Sequence, residues 1–304
     1  MMLERRRQLA FGSVIQWAPT RSACGEVWSQ PRSFEEHRMS KESQHDTWSA
    51  SRSYEHYMGR WSREIAHEFV AWLDQPADLD WLDIGCGTGA LSATILERCA
   101  PRSVLGVDPS EGFVTHARNA IPDARARFAV AEAGALPCAD RSTDVVTSAL
   151  AYNFFSDRPG ALTEMQRVAR PGSTVSLYVW DYPGGGMGFI DAFWDAAVAT
   201  DANAEAHVES TRFSFCTPEA LLSEVSGAGL ADADVRAIEV RARFEDFEDF
   251  WRPFTLGAGP APGYYLSLDE EGRHALRQKL KAELGGGEGI EFAARAWAAR
   301  GRAG

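Results

Sequence analysis

Short apolar runs alternate with amphipathic segments through the middle of the chain. The apolar runs are of strand length and cover residues 81–84, 104–107, 128–130, 144–150 and 174–180. The segments between them have helical spacing at residues 91–99, 111–120 and 158–169, and Ser110 is placed to cap the second of these. Strands that alternate with helices of this length indicate βαβ units, so we expect an α/β fold with a mostly parallel sheet.

The regions on either side of this alternation follow other patterns. Aromatic and aliphatic residues recur at helical spacing in residues 54–73 and predict an amphipathic helix, which Gly59 could interrupt. Thr217 and Pro218 are the residue types of a helix N-cap and a first helical position. Farther along, the pattern predicts strands at 235–244 and 290–298, a Pro/Gly loop at 257–263 and a helix at 269–284.

Composition narrows the class of protein. The 304 residues include 16 Phe and 10 Trp, which is too much apolar material for an intrinsically disordered chain. No run approaches the ~18 apolar residues that a membrane span requires. The net charge of −12 disfavours a nucleic-acid partner, because a phosphate backbone would be repelled. The five Cys form no CxxC pair, so we expect no metal site and reduced thiols in a cytoplasmic protein.

The first 38 residues differ from the remainder. Their six Arg and four Glu give a balance of +2, against −12 for the whole chain. The apolar stretch after the arginines at 5–7 is too interrupted for a secretory signal. We expect residues 1–38 to be a disordered extension and residues 39–304 to form a single domain.

A glycine-rich turn carries the clearest chemical signal. Residues 82–89 read Leu-Asp-Ile-Gly-Cys-Gly-Thr-Gly, at a point where a strand meets a helix. Glycines allow the chain to turn sharply and allow a ligand to approach the main chain closely. Asp108 ends the next strand, 23 residues after Gly85, where a carboxylate can accept hydrogen bonds from both ribose hydroxyls. The pair predicts a nucleoside-containing cofactor.

Two classes of cofactor are compatible with such a turn. Gly85, Gly87 and Ala90 also satisfy the dinucleotide pattern, so a nicotinamide cofactor must be considered. Asp83 argues against it, because dinucleotide binders usually continue an apolar strand at that position. The additional glycine at position 89 and the different downstream pattern argue in the same direction.

The motifs together resemble those of class I S-adenosylmethionine-dependent methyltransferases of the type-11 group, which includes ubiquinone and menaquinone C-methyltransferases. Residues 82–89 resemble the first motif of that family, and Val107-Asp108-Pro109-Ser110 resembles the second. Residues 131–137, Ala-Glu-Ala-Gly-Ala-Leu-Pro, resemble the stretch that contacts adenine. The resemblance covers residues 54–182 well and is looser beyond them. It implies S-adenosyl-L-methionine as the cofactor.

The resemblance also implies roles for individual residues. Asp83 would organise the turn whose backbone holds the methionine portion, and Asp108 would bind the ribose. Glu132 stands where the family usually has Asp and would accept from the adenine amino group, while Ala133 would offer its backbone N–H. The expected cofactor-binding residues are Tyr57, Asp83, Gly85, Cys86, Gly87, Gly89, Asp108, Pro109, Ser110, Glu132, Ala133, Ser148 and Leu150.

By the same resemblance the fold is Rossmann-like, with seven strands in the order 3-2-1-4-5-7-6, an antiparallel last strand and helices on both faces. Residues 78–182 would be the core of the domain. Residues 183–216 and 245–288 would be insertions above the carboxyl ends of the strands that form an aromatic-rich cap. Their aromatic side chains predict either an apolar substrate pocket or simply the core of that cap.

We assign no catalytic base from the sequence. Methyl transfer from a sulfonium depends mostly on alignment and exclusion of water, and a base helps only where the nucleophile holds its proton tightly. Candidates near the predicted site are Tyr152, Asp181, Tyr182, His56 and His207. Arg60 could pair with a carboxylate or stay solvated. Cys138 follows a proline, but that pair precedes the fourth strand, whereas the nucleophile of cytosine-C5 methyltransferases follows it.

The sequence thus predicts an enzyme that transfers a methyl group from S-adenosyl-L-methionine to an O, N, S or C atom of a small-molecule acceptor of apolar or aromatic character. An NAD(P)-dependent oxidoreductase and a non-catalytic S-adenosylmethionine-binding module are the alternatives. A protein acceptor stays open, because fold analogy indicates the cofactor but not the acceptor.

Overall fold

The computed structural model describes residues 58–257, 259–285 and 289–304. Seven strands form one sheet in the order β3-β2-β1-β4-β5-β7-β6. The strands are β1 Asp80–Ile84, β2 Ser103–Asp108, β3 Ala126–Val130, β4 Thr143–Ala149, β5 Ala169–Trp180, β6 Ala231–Phe244 and β7 Ile290–Arg302. Neighbours among the first five strands pair in parallel, and β7 is antiparallel to both β5 and β6. The predicted strand order and the antiparallel last strand are confirmed.

Helices connect the strands. In the described part of the chain they are α1 Arg60–Leu73, α2 Ala90–Arg98, α3 Glu111–Ala120, α4 Arg158–Val168, α5 Gly188–Thr200, α6 Glu209–Arg212, α7 Pro218–Gly227, α8 Phe247–Trp251, α9 Pro260–Ser267 and α10 Glu270–Leu284. Three 3₁₀ turns cover Tyr152–Phe154, Ala202–His207 and Arg252–Leu256.

Local sequence explains where several of these elements begin. All five residues of β1 are buried, as expected for a central parallel strand covered on both faces. The Ser110 hydroxyl accepts from the Phe113 amide at the start of α3, and the Thr217 hydroxyl accepts from Ala220 at the start of α7. The predicted caps are therefore confirmed.

Helix α1 packs on the sheet through its apolar stripe. Ile65 and Phe69 are fully buried, and the Phe69 ring lies 4.5 Å from that of Tyr178 on β5. Met58 and Gly59 form a π-helical turn that leads directly into α1. The predictions made for residues 1–38, His56 and Tyr57 lie outside the described residues.

The chain beyond β5 differs from the prediction at several elements, including helices α9 and α5. Residues 257–263 were expected to form a loop, but α9 starts at Pro260. Both prolines of that stretch lie in the first turn of α9, where a missing N–H costs nothing. Helix α5 was not predicted, because it has buried apolar residues on most of its faces and so lacks the polar stripe that reveals an amphipathic helix.

Two long segments leave the sheet at the edge where the parallel strands end. Residues 183–216 follow the carboxyl end of β5, and residues 245–288 join the end of β6 to the start of β7. They pack on each other through aromatic rings: Phe193 stacks on Phe254 at 4.6 Å, and Trp194 lies 5.3 Å from Tyr264. We call these contacts the aromatic cluster.

Within the described ranges, the helices are all too short or too polar to cross a lipid bilayer.

Candidate functional site

A cavity of about 540 Å³ opens at the carboxyl ends of β1, β2 and β4. Open α/β sheets bind ligands at this edge. The cavity is lined by Gly85, Gly87, Asp108, Pro109, Ser110, Phe113, Ala131, Glu132, Ala133, Gly134, Ala149, Leu150, Ala151, Phe154, Phe155, Ser156 and Asp157.

The glycine turn forms one side of the cavity through its backbone. Gly85 and Gly87 have φ of +70° and +54°, a left-handed conformation that favours glycine. A Cβ on Gly85 would lie 2.4 Å from the Cβ of Ala151, so the turn packs directly against the chain that follows β4. A Cβ on Gly87 would meet nothing within 4 Å. Gly87 thus leaves open space that faces the cavity.

The Asp108 carboxylate is held at the end of β2 by two backbone amides. Its Oδ2 accepts from the Gly87 N–H at 3.0 Å, and its Oδ1 accepts from the Ser110 N–H at 2.9 Å. Burial raises the pKa of this carboxyl and the two amides lower it, while the nearby Glu132 raises it further. Each oxygen keeps a lone pair beyond its amide contact, so the carboxylate can accept two further hydrogen bonds from a bound hydroxyl pair.

Asp83 lies behind the turn and is fully buried. Its Oδ2 accepts from the Ser92 hydroxyl of α2 at 2.7 Å, whereas its Oδ1 has no hydrogen-bond partner. Burial raises the pKa of Asp83 to about 7. The side chain therefore links β1 to α2, the two elements that the turn connects.

The opposite side of the cavity is a continuous stretch of chain, residues 149–157, which we call the β4 wall. Leu150 has a φ of +54°, an uncommon value for a bulky residue. Its amide nevertheless donates to the Tyr178 carbonyl at 2.8 Å, which ties the wall to β5. The wall contributes Phe154 and Phe155 to the cavity.

The structure brings most of the predicted cofactor residues together. Eight of them line the cavity: Gly85, Gly87, Asp108, Pro109, Ser110, Glu132, Ala133 and Leu150. Asp83, Cys86, Gly89 and Ser148 lie close in sequence but do not line it, and Tyr57 lies outside the described residues. Their assignment to cofactor binding stays a prediction.

The predicted residues that do not line the cavity lie in different surroundings. Cys86 packs against Val114, Ala117 and Phe128 on the far side of the turn. A Cβ on Gly89 would lie 2.6 Å from Ile121, which indicates a helix-packing role. Ser148 is fully buried within β4.

Sequence reasoning did not find the ring of Phe113 or most of the β4 wall. Phe113 points into the cavity from the first turn of α3, and Phe154, Phe155 and Asp157 come from a stretch with no glycine motif. The sequence could have indicated the wall only by its position, because it directly follows β4, a strand that ends at the ligand-binding edge of the sheet.

The candidate bases in the described chain do not line the cavity, and each has a partner in the protein. Asp181 is 1% exposed, accepts from the Gly184 amide at 2.9 Å and pairs with Arg295 on β7. The Tyr152 hydroxyl donates to Glu224, and the Tyr182 ring lies 5.0 Å from that of Phe213. Two other predicted residues also have partners: the His207 ring packs against Tyr264, and Arg60 pairs with Asp249 at 3.3 Å. These contacts give each of these side chains a structural role.

The fold and this edge define a Rossmann-like α/β protein with a nucleoside-type site. A family described as "Methyltransferase domain" matches residues 82–177, which include the glycine turn and Asp108. Demethylmenaquinone methyltransferase of Thermus thermophilus is 31% identical over 162 residues, which cover 49% of this chain and 73% of that protein. The chain therefore belongs to the methyltransferase family.

A further relative agrees with this assignment, and a solved structure shares the fold. An uncharacterized methyltransferase of Mycobacterium tuberculosis is 34% identical over 123 residues, which cover 40% of this chain but only 48% of that protein. The chain thus matches about half the length of the first curated relatives. The structure of Haemonchus contortus phosphoethanolamine N-methyltransferase 2, in complex with phosphomonomethylethanolamine and S-adenosylhomocysteine, has a TM-score of 0.51 at 16% identity; the match covers 85% of this chain and 58% of that one.

Proposed function

We propose that this protein transfers a methyl group from S-adenosyl-L-methionine to a small-molecule acceptor. One observation carries the proposal: the Asp108 carboxylate, fixed by the amides of Gly87 and Ser110, faces the cavity beside the glycine turn. A carboxylate in this position can bind the two hydroxyls of a ribose. Membership of the methyltransferase family then favours a sulfonium nucleoside over a nicotinamide dinucleotide.

The residues that line the cavity are suited to this cofactor. Asp108 would hold the ribose, Glu132 and the Ala133 amide would contact the adenine, and the backbone at Gly85 and Gly87 would face the methionine portion. When bound, the cofactor supplies an electrophilic methyl group on a positively charged sulfur. The described lining includes three carboxylates, with Asp157 the third, and no Lys, Arg or His. Such a lining favours a cofactor with a net positive charge.

The acceptor side of the site is proposed from the aromatic side chains. Phe154 lines the cavity, and its ring lies 5.2 Å from that of Phe213, which belongs to the segment 183–216. Phe213 in turn contacts Tyr182. We propose that residues 183–216 and 245–288 cap the site and that the acceptor is apolar or aromatic, because these rings adjoin the cavity.

The chain would act mainly by alignment and exclusion of water. A largely apolar wall can hold an acceptor in line without competing hydrogen bonds from solvent. No base is assigned, since none of the described candidates lines the cavity. The four described cysteines are free thiols, which supports a cytoplasmic location, and the net charge of −12 supports a partner other than nucleic acid.

Calorimetric titration of the purified chain tests this function. S-adenosylmethionine and S-adenosylhomocysteine should bind, whereas NAD and NADP should not. Asp108→Ala should weaken binding by at least about a hundredfold, because two charge-assisted hydrogen bonds are lost. Asp123→Ala is the matched control, since Asp123 pairs with Arg125 on the surface turn before β3. Binding of NAD or NADP alone would overturn the proposal.

A further inference from the structure

Two residues of the β4 wall face away from the cavity. The cavity is lined by residues 149–151 and 154–157 but not by Tyr152 or Asn153. Tyr152 is fully buried, and Asn153 is 6% exposed. These two residues begin the 3₁₀ turn Tyr152–Phe154, whose last residue and the following Phe155 line the cavity. Tyr152 and Asn153 therefore attach the β4 wall to the rest of the protein.

The Tyr152 hydroxyl contributes a hydrogen bond to this attachment. It donates to Glu224 Oε2 on α7 at 2.5 Å. Burial and the nearby Glu224 raise the pKa of the Tyr152 phenol, so the proton stays on the tyrosine. Glu224 also pairs with Arg158 at 3.1 Å, and the Arg158 guanidinium lies 3.6 Å from the centre of the Phe215 ring. One hydrogen bond thus joins the wall to α7 and to the first turn of α4.

The wall needs such an attachment for two reasons. Leu150 keeps a left-handed backbone that a bulky side chain disfavours, so the surrounding structure must hold it there. The 3₁₀ turn itself is closed by short-range amide bonds, from Phe154 to Ala151 and from Phe155 to Tyr152. Ala151 and Phe155 are also the residues that a Cβ on Gly85 would meet first, so the 3₁₀ turn and the glycine turn are in direct contact. A displaced turn would therefore disturb both sides of the site.

We propose that Tyr152 is a positioning residue for the cofactor site. Its hydrogen bond to Glu224 holds the β4 wall in the shape that the cavity requires, although Tyr152 itself does not line the cavity. This inference rests on the proposed function, because the ligand of the cavity is taken to be the S-adenosyl cofactor. The residue acts through Leu150, Phe154 and Phe155.

Tyr152→Phe tests the inference with little change in packing. The variant keeps the buried ring, loses the hydroxyl and leaves Glu224 paired with Arg158 alone. S-adenosylhomocysteine, measured by calorimetry, should bind about tenfold more weakly, the fold-change expected from loss of one buried hydrogen bond to a charged group. Amide hydrogen exchange of the ligand-free protein should become faster at residues 150, 154 and 155.

Tyr264→Phe is the matched control. Tyr264 is also buried, and its hydroxyl also donates to a carboxylate, Asp201 Oδ2, at 3.1 Å. The two variants should lose similar thermal stability, but Tyr264→Phe should leave S-adenosylhomocysteine binding and exchange of the β4 wall unchanged. A purely structural role for Tyr152 would make the two variants alike.

The outcomes separate the inference from the proposed function. If wild-type protein binds S-adenosylhomocysteine and Tyr152→Phe binds it within about twofold, the inference is overturned. If the wild type does not bind, the proposed function fails, and hydrogen exchange alone decides whether Tyr152 anchors the wall. Should Tyr152→Phe not fold, Glu224→Leu removes the acceptor and should weaken binding. Glu224→Gln retains an acceptor oxygen and should restore most of the affinity.

Discussion

The two halves of the ligand edge are built in different ways. Around β1, β2 and β4 the surface is set by the main chain: left-handed glycines, amides that bind Asp108, and a strained Leu150. Around β5, β6 and β7 it is set by side chains, with the stacked pair of Phe193 and Phe254 at its centre. A main-chain site is shared across a family that uses one cofactor, whereas a packed aromatic surface can change with the acceptor.

The comparison leads to a specific expectation. Substitutions at the glycines of the first half should abolish or weaken cofactor binding. Their cost in stability should depend on the room around the new side chain. Changes in the aromatic cluster should lower stability while affinity for the cofactor persists.

Gly85→Ala should have the largest effect. The new Cβ would lie 2.4 Å from that of Ala151, at a backbone φ of +70°. We expect a loss of about 3 kcal/mol in unfolding free energy, from overpacking and the left-handed conformation together. S-adenosylhomocysteine binding should be lost as well. Urea unfolding and calorimetry measure the two effects, and near wild-type values for both would contradict a turn defined by its backbone.

Phe193→Ala should lower stability by a similar amount in the other half. Phe193 is fully buried and stacks on Phe254 at 4.6 Å, so truncation leaves a cavity that costs about 3 kcal/mol or more. Affinity for S-adenosylhomocysteine should stay within about threefold of wild type at a temperature where the variant is folded. A large loss of affinity would show that the two halves are not separable.

Asp83→Asn should change the pH dependence of stability. Because the folded pKa is raised from 3.8 to about 7, the buried carboxyl stabilises the fold most below pH 4 and loses that contribution as pH rises towards 7. Asp108 and Cys86 are the titratable groups nearest to it. The Asn variant should lack this decline, which is on the order of 2–4 kcal/mol. If the unfolding free energies of the wild type and of Asp83→Asn changed with pH in the same way from pH 4 to 8, this prediction would be wrong.

Gly87→Ala is the matched partner of the Gly85 change and should have the smallest effect on stability. Its Cβ would meet nothing within 4 Å, so only the left-handed backbone, at φ +54°, costs energy, about 1 kcal/mol. The methyl group would, however, occupy space on the cavity side, and binding of S-adenosylhomocysteine should fall about tenfold. Equal effects of the two glycine variants on stability would argue against the packing described here.

Much of the first half could be predicted from sequence, because each signal is local. The apolar run before Gly85 predicts a strand, the glycines predict the turn, and the Ser110 hydroxyl caps the next helix by accepting from the amide three residues on. Asp108 could be singled out because the end of a strand is a defined place in such a sheet, and it lines the cavity. The same reasoning assigned Cys86 and Ser148 to the site; both are buried and do not line the cavity, and their role stays a prediction.

The second half could not be predicted to the same depth, because its contacts join distant parts of the chain. Arg295 pairs with Asp181 across 114 positions, and no spacing rule connects them. Helix α5 is apolar on most faces and gives no helical period. The 3₁₀ turn of the β4 wall is fixed by Glu224, 72 residues beyond Tyr152. Tertiary packing overrides local preference in each case.

A crystal structure of the protein with S-adenosylhomocysteine would test the proposed cofactor site most directly. We predict that the ribose hydroxyls lie within hydrogen-bond distance of Asp108 and that the adenine lies beside Glu132 and Ala133, with the β4 wall unchanged. Adenosine bound elsewhere, or a cavity that accepts only a nicotinamide dinucleotide, would contradict the account.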